Sequence, residues 1–277
     1  MTERQLREAA VNYLQTSPGN RLQAWQAIKP ELTGMRMFDS PIMGVASAQD
    51  SYLLSLQNNP EAGLNILPPT SWLGSAQSVV SLFFPFSEQV RESNRRLPNQ
   101  IPSPEMIHVR NEGQIFINNL CEHLKEVLEK SGYKAVIPVR DERYEKSASS
   151  PPFFSNWSER HLAFAAGIGT FSLSGVIITE KGAAGRLASL ITDLKLPPAR
   201  KSYYELDEYC TMCAVCTVNC PVNAINPETG LDKERCRSHL ESVEQQPEYL
   251  ERNYVGSCGK CQIDVPCEHS LPSDDDH

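Results

Sequence analysis

The chain has 277 residues and a mass of 30.9 kDa, enough to bury a full hydrophobic core and to divide into one large and one small domain. Hydrophobic residues at 40% and charged residues at 22% fit a chain that folds throughout and exclude long disordered stretches. A net charge of -8 excludes the basic footprint that neutralises phosphates, so unaided nucleic-acid binding is disfavoured.

The N-terminus carries charges where a signal peptide needs an apolar core, and it has no twin-arginine pair. No apolar run approaches the roughly 20 residues that cross a bilayer; the longest, Val79 to Phe86 and Val176 to Ile178, read as buried strands. The expected location is the cytoplasm. From Glu3 to Ile28 the pattern is helix-compatible, with Leu6, Ala9, Ala10 and Tyr13 at three-to-four spacing until Pro18-Gly19 breaks it. Residues 1–39 are therefore expected to form a helical N-terminal extension.

Gly34 to Trp72 is rich in Pro, Gly, Ser and Asn and predicts loops and short helices. Ser78 to Pro85 is a bounded apolar run, read as a buried strand ended by proline. Arg91 to Pro104 reads as another loop. Ile117, Leu120, Cys121, Leu124, Val127 and Leu128 then mark one face of a long helix closed by Ser131-Gly132, with Cys121 as a small buried hydrophobe. Ala135 to Val139 follows as a strand, giving the strand, helix, strand progression of an α/β or α+β layer. A further helix, Trp157 to Ala166, is expected to be capped by Asn156 with Glu159 three residues on, and Gly167-Ile168-Gly169 turns the chain. Gly175 to Thr179 and Leu187 to Thr192 read as two strands joined by Glu180-Lys181-Gly182. Composition changes beyond Pro197-Pro198, which puts a domain boundary near residue 205. The tail from Ser273 to His277 reads as a solvated acidic end.

Eight of the nine cysteines fall between Cys210 and Cys267. In a reducing compartment such density favours metal ligation over disulfides. Cys210, Cys213, Cys216 and Cys220, followed by Pro221, match C-x2-C-x2-C-x3-C-P, the ferredoxin run, in which the fourth thiolate serves a second cluster. Zinc would want two ligand pairs separated by a longer loop. The remaining four, Cys236, Cys258, Cys261 and Cys267, complete two sets. The exchange pattern assigns Cys210, Cys213, Cys216 and Cys267 to one 4Fe-4S cluster and Cys220, Cys236, Cys258 and Cys261 to the other. His269 stands as an alternative to Cys267 for the eighth position.

The segment Trp157 to Ser172, the strand pair ending near Leu194, the ferredoxin run, and Arg235 to Leu240 before Cys258-Gly-Lys-Cys261 together resemble the epoxyqueuosine reductase and reductive dehalogenase superfamily. The likeness extends over roughly residues 75 to 267. It implies an α+β protein: a nitroreductase-like α/β core over residues 40–205, followed by a bacterial two-cluster ferredoxin-like domain over residues 206–277. It also implies that the core holds a cobalamin, with flavin as an alternative, against a turn formed by Gly167, Gly169, Thr170 and Ser172.

Family members carry an acidic proton donor in a D-S-A-P-like motif, where this chain has Ser149-Ser150-Pro151-Pro152-Phe153. Asp141 and Tyr144 are the nearest replacements, beside plainer readings as a surface ion pair and a packed ring. By this resemblance the chain takes electrons from a reduced ferredoxin, flavodoxin or similar donor and reduces a small-molecule substrate. Two alternatives stand: electron delivery to another protein without substrate chemistry of its own, and epoxyqueuosine reduction in transfer RNA. The last is weakened by the charge and by the lack of the helical repeats that longer members append.

Overall fold

The computed structural model describes residues 1–57, 66–98, 101–147 and 154–273. Helix α1 (Glu3–Thr16) starts at a capping box between Thr2 and Gln5 and ends at Ser17, ahead of Pro18. It is followed by strand β1 (Ile42–Ser47), short helices α2 (Ser51–Ser55) and α3 (Pro69–Trp72), strand β2 (Ser78–Pro85) and helices α4 (Glu88–Arg96) and α5 (Pro104–Lys130). Next come β3 (Ala135–Val136), β4 (Lys146–Ser147), β5 (Phe154–Ser155), α6 (Glu159–Ala165), β6 (Gly169–Phe171), β7 (Ile177–Thr179) and β8 (Gly185–Thr192). The cysteine-rich segment holds α7 (Val215–Val218), β9 (Ile225–Asn226), β10 (Gly230–Leu231), α8 (Lys233–Glu244) and α9 (Pro247–Leu250).

Among the described residues the main sheet runs β1-β2-β8-β3, every pair antiparallel, with Val80 opposite both Val45 and Leu190. Antiparallel pairing makes the architecture α+β. Strand β2 is buried along its whole length because both its faces are covered. Val80, Leu82 and Phe84 pack in one cluster with Phe116, Ile117, Leu120 and Leu124 of α5 and with Leu6, Ala10 and Leu14 of α1. Val79 and Phe83 join a second cluster with Leu162 and Ala163 of α6, Trp72 and Trp157. Alternation at period two thus divides one apolar strand between two cores. The N-terminal helix belongs to the first of them, not to a layer of its own. Cys121 is buried on α5, and burial raises its thiol pKa.

Two segments that read as loop are ordered. β1 was hidden by Pro41 and Gly44 in its apolar stretch. α4 was hidden because its inward face is polar: Val90 is its one buried apolar side chain, beside buried Asn94. Ala135 to Val139 is shorter as a strand than expected, ending at Val136 before a turn over Pro138–Arg140. The residue preceding α6 is Ser158, not Asn156; Asn156 instead accepts from the Glu145 amide and donates to Arg143 O.

The polar face of α4 anchors the cysteine-rich segment. Arg91 (3.1 Å) and Arg95 (2.6 Å) both donate to Glu268, which is 2% exposed. Burial alone would raise the Glu268 pKa, but hydrogen bonds from Arg95 and the Asp264 amide hold it below the usual carboxylate range. Asn94 Nδ2 donates to Cys258 O, and the buried Lys260 ammonium donates to Asn94 O and Leu97 O. On the other side, Ala183 and Ala184 donate to Cys267 O and Glu268 O. Gly182 has φ +74, and a Cβ there would lie 2.3 Å from Glu268 O, so only glycine permits this approach. A third attachment joins Phe171 N to Leu206 O and Tyr209 N to Thr170 Oγ1.

Candidate functional site

All nine cysteines are free thiols. Met212 and Ala214 take left-handed backbone, which coils the ferredoxin run tightly around its own interior. Cys210, Cys213, Cys216 and Cys267 line one small cavity, which Cys261 also touches. Burial, then Cys210 and Cys213, push the Cys216 thiol up to about 11; burial, then Cys210, Cys216 and Cys213, push Cys267 up to about 12. These four lie together.

The other four do likewise. Cys258 is pushed up to about 11 by burial and by Cys236 and Cys220, against the pull of the Lys260 amide and charge. Cys236 is raised by burial and by Cys220. Cys261 is raised by burial, then Cys258, Cys236, Cys216 and Cys220, so it faces mainly the second set but also the first. The Ala224 amide donates to Cys220 Sγ at 3.1 Å. His269 is exposed. The fold places Cys210, Cys213, Cys216 and Cys267 along one cavity and Cys220, Cys236 and Cys258 along another, with Cys261 touching both. An all-sulfur donor set in groups of four suits iron–sulfur clusters, and amide donors to sulfur suit their negative charge. Among the described residues no three His, Cys, Asp or Glu side chains converge on a single-ion site.

The second set also lines a cavity of about 270 Å³ between the cysteine-rich segment and the core. Arg110 of α5, Arg160 of α6, Arg186 of β8 and His239 of α8 complete its polar walls. Arg160, Gly185, Arg186 and Gln262 also line a neighbouring cavity of about 280 Å³, which reaches Glu159. The two form a cleft. Glu159 is half-buried as a residue, yet neither carboxylate oxygen is accessible or has a hydrogen-bond partner. Trp157 Nε1, which lies near it, donates instead to Ser189 Oγ. Burial raises Glu159 to about 7, with Ser189 and Trp157 pulling the other way. The sequence reading had Glu159 only as a helix-capping acid.

The folded state therefore favours the neutral Glu159 carboxyl, and its contribution to stability is fully present below pH 4.5 and is lost as pH rises toward 7. The whole effect is at most about 3 kcal/mol. Melting temperature against pH is expected to fall more steeply between pH 5 and 7 in wild type than in Glu159→Gln. Parallel curves would sink this assignment.

Asp141 lies at the surface in an ion pair with Arg143 at 2.6 Å, and the hydrogen bond from Arg143 holds its pKa down at about 2. It is a poor acid at neutral pH. Tyr144 packs partly buried at the edge of the second core cluster, with Lys146 over its ring. Neither lines the cleft. Ser149 to Phe153 and the tail from Asp274 lie outside the described residues.

The glycine turn has a structural account. Gly167 has φ +76. A Cβ at Gly169 would lie 1.9 Å from Ile178 O, so the tight β6–β7 pair requires glycine there. Thr170 is fully buried and Ser172 Oγ bonds Ser174 Oγ. Ser172 also lines the cavity of the first thiol set.

Fold and site together define an α+β protein with a thiol-rich segment docked against a helix-flanked sheet. No family model matches the sequence. Epoxyqueuosine reductase of Vibrio cholerae is 31% identical over 156 residues, 54% of this chain and 40% of that protein. Tetrachloroethene reductive dehalogenase of Dehalobacter restrictus is 33% identical over 100 residues, 35% of this chain and 18% of that one. The solved epoxyqueuosine reductase of Streptococcus thermophilus superposes with a TM-score of 0.53 at 19% identity, covering 84% of this chain and 64% of that one. The chain is thus similar over part of its length to both the epoxyqueuosine reductases and the reductive dehalogenases. Its matched segments span less than half the length of these curated relatives. No helix among the described residues is long and apolar enough to cross a membrane.

Proposed function

We propose that this chain is an iron–sulfur reductase whose two thiol sets each hold a 4Fe-4S cluster, and whose reducing site is the cleft beside Cys220 and Cys236. The observation that carries this reading is the gathering of eight thiols into two sets of four, one of them lining the cleft. Cys210, Cys213, Cys216 and Cys267 would hold one cluster, and Cys220, Cys236, Cys258 and Cys261 the other. Bound there, such clusters supply one-electron storage and relay.

Glu159 is about half protonated near pH 7 beside the cleft, a source for the proton that a reduction consumes. Arg186, fixed by two hydrogen bonds to Gln114 Oε1, presents a charged wall to whatever enters. Within the first thiol run Met212 is 50% exposed, and a reduced ferredoxin or flavodoxin is the proposed donor at this face.

Cobalamin is proposed as second cofactor from the superfamily alone. Taken singly, the two cavities of the cleft, at about 270 and 280 Å³, and the open one of about 450 Å³ beside His239 are small for a corrinoid with its amide arms, so no step is derived through it. Cobalamin added to iron-loaded protein is expected to raise the melting temperature, by the equivalent of about 2.7 kcal/mol at a hundredfold excess over its Kd. No shift in protein of full iron content would remove cobalamin and leave the clusters standing.

A second reading, epoxyqueuosine reduction in transfer RNA, is favoured by the 31% identity to the Vibrio cholerae enzyme. Tight, salt-resistant binding of transfer RNA would move the assignment to it; weak binding that fades with salt would favour a small molecule.

A further inference from the structure

The turn Cys258-Gly259-Lys260-Cys261 joins two thiols of the second set and carries a cation between them. Lys260 is 3% exposed. Gly259 takes left-handed backbone at φ +70 against Met106, and the Lys260 ammonium donates inward to Asn94 O at 2.5 Å and Leu97 O at 3.1 Å. Both acceptors are carbonyls at the C-terminal end of α4, which favours a positive charge. Neither carries a counter-charge. Asn94 also donates to Cys258 O, so the lysine and the thiol residue are held by one side of α4. Burial lowers the Lys260 pKa, and the charge that opposes this is that of Cys258.

The two thiol sets differ in the charge around them. No charged side chain lines the cavity of the first set, and the nearby Arg91, Arg95, Glu268 and Asp264 close into ion pairs with two charges of each sign. The second set's cavity is lined by Arg110, Arg160 and Arg186, all desolvated, and by no Asp or Glu. The nearest acids are engaged elsewhere: Asp232, near Cys236, pairs with Arg235 at 3.4 Å, and Glu244, near Arg110, with Arg237 at 3.5 Å. Cys220 Sγ also accepts from the Ala224 amide. All eight of these cysteines are of intermediate exposure, so charge and amide donors distinguish the sets, not burial.

Resting on the two-cluster reading, we propose that Lys260 is a redox-tuning residue, making a cluster on Cys220, Cys236, Cys258 and Cys261 easier to reduce than one on Cys210, Cys213, Cys216 and Cys267. Reduction adds one electron, and with it one negative charge, to a cluster. A fixed cation beside it stabilises that state, the more so where water is excluded. A role confined to capping α4 would set no difference between the sets.

The test is a reductive titration of oxygen-free protein holding about eight iron per chain, followed by paramagnetic resonance. Two one-electron transitions at different potentials are expected. Cys267→Ala, stripped of the first cluster, should keep the higher one. Lys260→Gln, neutral but still a donor, should lower the equilibrium constant of the higher transition at least about tenfold, about 59 mV for one electron, and leave the lower one in place. Lys260→Met repeats the measurement without the donor, and Lys260→Arg should keep the wild-type separation. A single transition in fully loaded wild type, a Cys267→Ala protein that titrates at the lower potential, or a fully loaded neutral variant whose two potentials stay put or fall together overturns the proposal. Wild-type iron near four would instead overturn the two-cluster reading, and the proposal with it.

Discussion

Protein reconstituted without oxygen and carrying Cys267→Ala is expected to hold about half the iron of wild type, about four against about eight per chain. The reason is positional. Cys267 lies six residues beyond Cys261 in sequence, yet the fold returns it to the cavity shared with Cys210, Cys213 and Cys216. Its carbonyl is fixed by the Ala183 amide, so the backbone there is held whether or not the side chain binds anything. His269, two residues on, faces solvent and is not placed to substitute. Full iron retention in the variant would take Cys267 off the ligand set. Loss of all iron would mean that the two sets fill only together. Cys121→Ser, buried between helix and sheet, should leave the iron unchanged.

Gly169→Val is expected to cut soluble yield and lower the melting temperature, by more than about 3 kcal/mol, with or without cobalamin. From the sequence, the two glycines suggested a loop lying against a planar cofactor, which predicts loss of cobalamin binding in an otherwise sound protein. In the fold, the Cβ would meet Ile178 O at 1.9 Å and Ile178 C at 2.8 Å, both backbone atoms of the paired strand. Backbone cannot step aside as a side chain tip can. The β6–β7 pair would open, and with it the contacts from Phe171 and Thr170 to Leu206 and Tyr209. Calorimetry on wild type and variant, each with and without cobalamin, separates the two accounts. A variant that melts like wild type but no longer responds to cobalamin would restore the cofactor role of the turn.

Sequence carried the parts of this molecule whose logic is local. Ser78 to Pro85 announced a strand covered on both faces because eight residues in a row avoid charge, and Ile117 to Leu128 announced a helix by period. The cysteine spacings suggested the grouping, since thiols two residues apart can reach a common centre. What stayed hidden works through polar groups at long range. α4 has no apolar period because its buried face holds Asn94, Arg91 and Arg95, whose partners lie more than 160 residues away. The cleft was equally hidden. Its three arginines come from α5, α6 and β8, and nothing in the separation of Arg110, Arg160 and Arg186 marks them as neighbours. One local sign existed: Arg186 is the single charge in a strand whose other residues are uncharged, where a charge needs a reason. Glu159 also looked ordinary, because an acid at the start of a helix usually faces water.

Three of the contacts between the thiol-rich segment and the core have a mechanical consequence. Arg91 and Arg95 hold Glu268, Gly182 to Ala184 hold the backbone beside Cys267, and Asn94 holds the carbonyl of Cys258. Each tether ends at a thiol residue or its immediate neighbour. A shift of the thiol residues would therefore be passed to α4 through side-chain bonds and to the segment leading into β8 through backbone bonds. Such a chain cannot lend out its cysteine-rich half as an exchangeable cassette: grafted elsewhere without α4 and Gly182, that half would arrive with a bare carboxylate and an unclamped lysine.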